Sequence, residues 1–110
     1  MTDSVKFTCV QNILDSLPYR SSVLAINYNT LCRPDLIVTR LKKYVKIGQN
    51  SFDAIIMYQE DYMKIINEID NILEENGICI IISDNGFDWI AWKYKYKTIR
   101  YWIIDNQSKL

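Results

Sequence analysis

The sequence predicts an α/β domain: a βαβαβ parallel core, preceded by an N-terminal helix and followed by a C-terminal antiparallel strand pair. Three observations carry this reading. Three short apolar runs, "SSVLAINYN", "SFDAIIMY" and "ICIIIS", lack alternation of apolar and polar residues, the pattern of strands covered on both faces. Segments with apolar residues at helical spacing precede and separate them. Asn85-Gly86, a strong hairpin signal, then opens a long stretch free of Gly and Pro. Strands alternating with helices argue for right-handed crossovers in a two-layer or three-layer domain, and 110 residues make one such domain, residues 1–110.

Each element follows from its residues. In "SVKFTCVQNILDSLP", Phe7, Val10, Ile13, Leu14 and Leu17 recur at helical spacing, Asp3 or Ser4 can cap the start, and Pro18 ends the run. A helix is expected over about residues 4–17, then a buried strand over 22–28. Pro34 suits a first helical position, and Ile37, Leu41, Tyr44 and Val45 lie along one helical face. Lys42, Lys43 and Lys46 favour the negative end of that helix, and Gly48 stops it. A second strand is expected over 52–58. "EDYMKIINEIDNILEENG" is the clearest helix: Tyr62, Ile65, Ile66, Ile69, Ile72 and Leu73 form its stripe, with Glu60 and Asp61 at the start and Gly77 past the end. The third strand spans 78–83, and residues 87–105 divide into strands near 87–94 and 98–104, with a short helix at 87–92 as the alternative.

Composition narrows the function classes. An apolar share of 49% and a charged share of 24% support a core without staples. Thirteen basic residues balance thirteen acidic ones, so any contact with nucleic acid or an anionic membrane has to be local. Cys9, Cys32 and Cys79 are odd in number and lack metal-type spacing, which places the chain in a reducing, cytoplasmic setting. No leader pattern and no membrane-length apolar run is visible, so a soluble chain with no membrane partner is expected. Abundant Ile, Asn, Lys and Tyr fit an AT-rich genome, viruses and mobile elements among the sources.

The chain contains no histidine, which removes histidine-activated nucleophiles and histidine metal ligation. Gly48, Gly77 and Gly86 are isolated, so neither a dinucleotide turn nor a phosphate loop is present. No cofactor, metal or catalytic set is expected, and enzymatic activity is left open, with the balance towards binding. Pro34-Asp35 fits a helix start better than a metal-dependent nuclease, and Glu68, Asp70, Glu74 and Glu75 read as a solvated helix face. In an open parallel sheet, ligands gather beyond the carboxyl ends of the strands. The candidate ligand-binding residues there are Asn27, Asn29, Tyr58, Glu60, Asp61 and Asp84; caps and turns favour the same residue types.

The stretch "WKYKYKTIRYWIID" is the other anomaly. On a strand, Lys93, Lys95 and Lys97 share one face and Trp92, Tyr94 and Tyr96 the other. Basic groups beside aromatics suit single-stranded nucleic acid, with Lys93, Lys95, Lys97 and Arg100 on phosphates. The plainer reading is an edge whose lysines discourage aggregation, with the rings in the core.

"SFDAIIMY", a helix, "ILEENGICIIIS" and a terminal strand pair resemble the second half of a Rossmann-type methyltransferase, over about residues 51–105. The resemblance touches no catalytic or cofactor-contacting residue, and "VLAIN" is not followed by the glycine-rich turn that holds the family's cofactor. It implies a cofactor-free remnant or a small-ligand enzyme.

Three functions are thus expected, in this order. The first is a small intracellular protein-interaction module of inhibitor, immunity or viral accessory type, acting by stoichiometric binding on another protein or on itself as a homodimer. Its partner-binding candidates are Trp89, Trp92, Tyr94, Tyr96, Tyr101 and Trp102. Single-stranded nucleic-acid binding is the second, and the methyltransferase-like remnant or small-ligand enzyme the third.

Overall fold

The computed structural model describes residues 2–46, 51–83, 89–95 and 100–103. Helix α1 (Thr2–Leu14) leads into β1 (Ser22–Ile26), β2 (Ile37–Leu41) and β3 (Phe52–Tyr58). Two short helices, α2 (Gln59–Ile65) and α3 (Ile69–Ile72), lead to β4 (Leu73–Ile82), β5 (Trp89–Tyr94) and β6 (Arg100–Ile103). The strands form one sheet in the order β2-β1-β3-β4-β5-β6. β1 pairs in parallel with β2 and β3, β3 pairs in parallel with β4, and the β4–β5 and β5–β6 pairs are antiparallel. The expected α/β class therefore holds, with the N-terminal helix, the parallel core and the antiparallel C-terminal pair in place.

The central strands are apolar throughout because each supplies two cores. Val23 and Ala25 of β1, Ala54 and Ile56 of β3, and Ile78, Ile80 and Ile82 of β4 pack towards Val10, Ile13 and Leu14 of α1. The alternate residues Leu24, Ile26, Ile55, Met57, Cys79 and Ile81 pack towards Tyr62, Ile65, Ile69 and Ile72 of α2 and α3. Helices on both faces make three layers, and each fully buried Ile or Leu contributes roughly 1.5–3 kcal/mol.

One expected element is corrected. The helix expected from Pro34 to Gly48 is absent over its described residues, 34–46, and residues 37–41 form the edge strand β2. Ile37, Val38 and Thr39 are a β-branched run, stiff at χ1 and suited to a strand. Pro34 and Asp35 occupy a turn closed by the Leu36 N–H donating to the Arg33 carbonyl at 3.2 Å, where Pro serves a turn as well as it would a helix start. The β1–β2 crossover is therefore irregular chain. The alternative helix at 87–92 is likewise replaced, over its described residues, by β5. Asn85-Gly86 lies outside the described residues.

The long helix expected after β3 is broken at 66–68, between α2 and α3. Leu73 and Ile78 of β4 pair with Phe52 and Ala54 of β3, so β4 carries extra residues between these pairs. Glu74, Glu75 and Asn76 bulge into solvent there. Gly77 returns the chain to the core, where a Cβ would stand 2.7 Å from Leu73 side-chain atoms.

Candidate functional site

The irregular β1–β2 connection builds the most distinctive polar cluster among the described residues. The Arg33 guanidinium donates to both carboxylate oxygens of Asp35, at 3.0 and 2.6 Å. The same guanidinium donates from Nη1 to the carbonyls of Leu14 (2.8 Å) and Leu17 (3.1 Å) at and just past the end of α1, and the Leu14 carbonyl also accepts the Leu17 N–H at 3.0 Å. Asp35 also accepts the Arg20 N–H at 3.0 Å. Hydrogen bonds from Arg33, then from Arg20, hold the Asp35 carboxyl down at about 2. Arg33 is thus neutralised, with four of its five N–H groups engaged, and it fastens the connection to α1.

Between this connection and β2 lies an open cleft of about 450 Å³. Leu31, Pro34, Leu36 and Val38 supply its apolar lining, and Cys32, Arg33 and Arg40 its polar lining. Strand register fixes its side of the sheet: Val38 and Arg40 pair with Val23 and Ala25, which face α1. Arg40 is exposed and makes one long hydrogen bond, 3.4 Å from Nη1 to the Tyr28 carbonyl. The exposed Cys32 thiol donates to the Thr30 carbonyl at 3.5 Å, and its N–H donates to the Gln11 side chain at 3.3 Å.

The expected strand-end residues share one edge, because β1 and β3 are parallel neighbours, but their environments differ. Asn27 is exposed at φ 54°, and its N–H donates to the Leu41 carbonyl at 2.6 Å. Asn tolerates that left-handed conformation, so its turn accounts for the residue. Asn29 is exposed. Tyr58 is half-buried against the α1-side core. Glu60 and Asp61 stand in the first turn of α2, Glu60 at 3.6 Å from exposed Lys64. Asp84 lies outside the described residues. Beside them is Tyr28, only 5% exposed, whose buried hydroxyl has no hydrogen-bond partner in good geometry among the described residues. Burial pushes its pKa up, and the nearby Thr30 side chain acts in the opposite direction.

The C-terminal stripe has the expected parity where it is described. Trp92 and Tyr94 pair with Ile80 and Ile78, which face α1, and Trp92 packs against that core. Lys93 pairs with Cys79 on the other face, and the Lys95 ammonium donates to the Leu73 carbonyl at 2.9 Å. Arg100 is the backbone partner of Trp92. Tyr96 and Lys97 lie outside the described residues, and Trp89, Tyr101 and Trp102 are placed by backbone register alone.

Reasoning from sequence missed Arg33, Cys32 and Arg40. The signal available was Arg33-Pro34-Asp35, an ion pair bridging a proline turn; the role of Arg40 depends on the β1–β2 register. Cys9, Cys32 and Cys79 are free thiols, and burial pushes Cys79 up to about 12. Among the described residues no helix is long and apolar enough to cross a membrane. Compared with protein-family models, curated proteins and solved structures, the chain matches none.

Proposed function

We propose that the chain is a small protein-interaction module of inhibitor, immunity or viral accessory type, acting by stoichiometric binding of a partner protein. The observation carrying this reading is a set of exposed large apolar side chains on the α2 side of the sheet. Met63 (61% exposed) and Ile66 (44%) stand on α2 and at its end. Ile37 (53%) has the parity of Leu41, which packs on that side. Val45 (50%) follows Tyr44, whose hydroxyl donates to Glu68 at 3.3 Å and draws this segment onto the α2–α3 junction. Isolated exposed apolar residues are ordinary, whereas several on one side with a rim of exposed Lys42, Lys43, Glu60 and Lys64 have the make-up of an interface.

Strand parity supports protein over single-stranded nucleic acid as the partner, because stacking rings and phosphate-binding ammoniums need a common surface. The free thiols suit a reducing cytoplasm. The test is affinity capture of the tagged chain from its native cell, followed by reconstitution with the purified partner. A combined Ile37→Lys, Met63→Lys, Ile66→Lys variant should bind at least ~10-fold more weakly, as loss of interface anchors does, with its melting temperature kept. Undiminished partner binding by that variant, or capture of nucleic acid alone, overturns the proposal.

A further inference from the structure

The cleft beside β2 lies on the opposite side of the sheet from the proposed protein-binding surface, and its chemistry is different. Where a crossover helix would cover the α1-side flank of the edge strand, the β1–β2 connection is irregular and leaves a hollow. About 450 Å³ is within the ~300–1,000 Å³ range of small-molecule sites. Its two cations are not equivalent. Arg33 has both faces of Asp35 against it and two backbone carbonyls on its remaining amino group. Arg40 has a single long bond to a carbonyl and, among the described residues, no carboxylate partner. Among the described residues the cleft therefore offers one guanidinium fork without a carboxylate partner, beside a mixed lining whose apolar part is small and comes from Leu31, Pro34, Leu36 and Val38.

We infer that this cleft binds a small monocarboxylate with a short apolar body, the carboxylate on Arg40 and the body against Leu31, Leu36 and Val38. The fork of a guanidinium matches the two oxygens of a carboxylate in plane and spacing. A single positive charge balances a monoanion. A phosphate dianion would leave a charge over, beside the ionised Asp35 at the same connection. The three apolar residues give the ligand's body something to cover, which a bare inorganic anion cannot use. The exposed Cys32 thiol adds a polar wall on the connection side.

Titration of the full chain, followed by the shifts of its backbone amide resonances, tests this with sodium octanoate, octan-1-ol and inorganic phosphate as probes. Octanoate should give saturable shifts centred on residues 31–40. Octanol, lacking the charge, and phosphate, lacking the body, should each bind at least ~10-fold more weakly, the scale of one lost charged hydrogen-bonding pair. Arg40→Met should weaken octanoate by about tenfold and leave the remaining spectrum in place, with Arg40→Lys intermediate. Should Arg40→Met disturb the fold, Val38→Asp, which sets a like charge in the cleft, takes its place and should also weaken octanoate. Any of three results overturns the inference: no saturable octanoate binding, binding unchanged in a folded variant, or shifts centred on Ile37, Met63 and Ile66 instead.

Discussion

Two crossovers join neighbouring parallel strands in this sheet, and they are held by different physics. From β3 to β4 the chain passes through α2 and α3, which bury Tyr62, Ile65, Ile69 and Ile72 on one face of the sheet. From β1 to β2 it passes through ten residues without a helix, and polar bonds hold it: Arg33 to Asp35, to Leu14 and to Leu17, and Asp35 to Arg20. A helix satisfies its own backbone and needs only an apolar stripe. Irregular chain has no such stripe, and here a guanidinium and a carboxylate of the connection tie it to backbone groups of Leu14, Leu17 and Arg20. The difference has a consequence for function. Beside the polar clamp lies a cleft.

The largest expected effect breaks the apolar crossover. Ile69 is 1% exposed, and Ile69→Ala should lower global stability by about 2–5 kcal/mol in denaturant titration, the usual cost of emptying a buried aliphatic site. A loss confined to the β1–β2 connection would show that the two crossovers are not held as described.

A smaller, local effect should follow from Asp35→Asn. Amide exchange should quicken over residues 27–36 while residues 59–72 keep their protection. The pH dependence has a definite sign. Asp35 is depressed from its ordinary 3.8 to about 2, so its contribution is complete above the ordinary value and is lost as pH falls through about 2. The wild-type connection should open over that acid range, and the Asn variant should lack this transition. The smallest effect sharpens the contrast between clamp and surface. Glu60 and Lys64 are mostly exposed and 3.6 Å apart, so Glu60→Gln should change stability by less than about 0.5 kcal/mol.

Much of the layer order was legible in the residues. "SVLAI", "FDAIIMY" and "ICIII" are apolar at consecutive positions because both faces of β1, β3 and β4 are covered, and a strand buried twice has no other way to be written. The antiparallel β5 and β6 were read from the hairpin signal Asn85-Gly86, and the parity of Trp92, Lys93 and Tyr94 from period two. Asn27, Asn29, Tyr58, Glu60 and Asp61 follow the carboxyl ends of β1 and β3, as strand order implies, but the cleft was not foreseen. Ile37, Leu41, Tyr44 and Val45 satisfy a helical period by spacing, yet Ile37 and Leu41 also share a face of a strand, since four is a multiple of two.

Residue type and local period alone marked β1, β3 and β4 as strands covered on both faces and α1 as a helix, because burial is written in them. Only the tertiary structure decided that residues 37–41 extend along β1, that β4 bulges before Gly77, and that Arg33 is consumed while Arg40 is left with an open fork. Those outcomes depend on partners distant in the chain, Ser22–Ile26 for β2, Leu73 for Gly77, and Leu14 and Leu17 for Arg33. No local pattern encodes which of two cations will meet the carbonyls of Leu14 and Leu17; that is settled when the chain closes on itself.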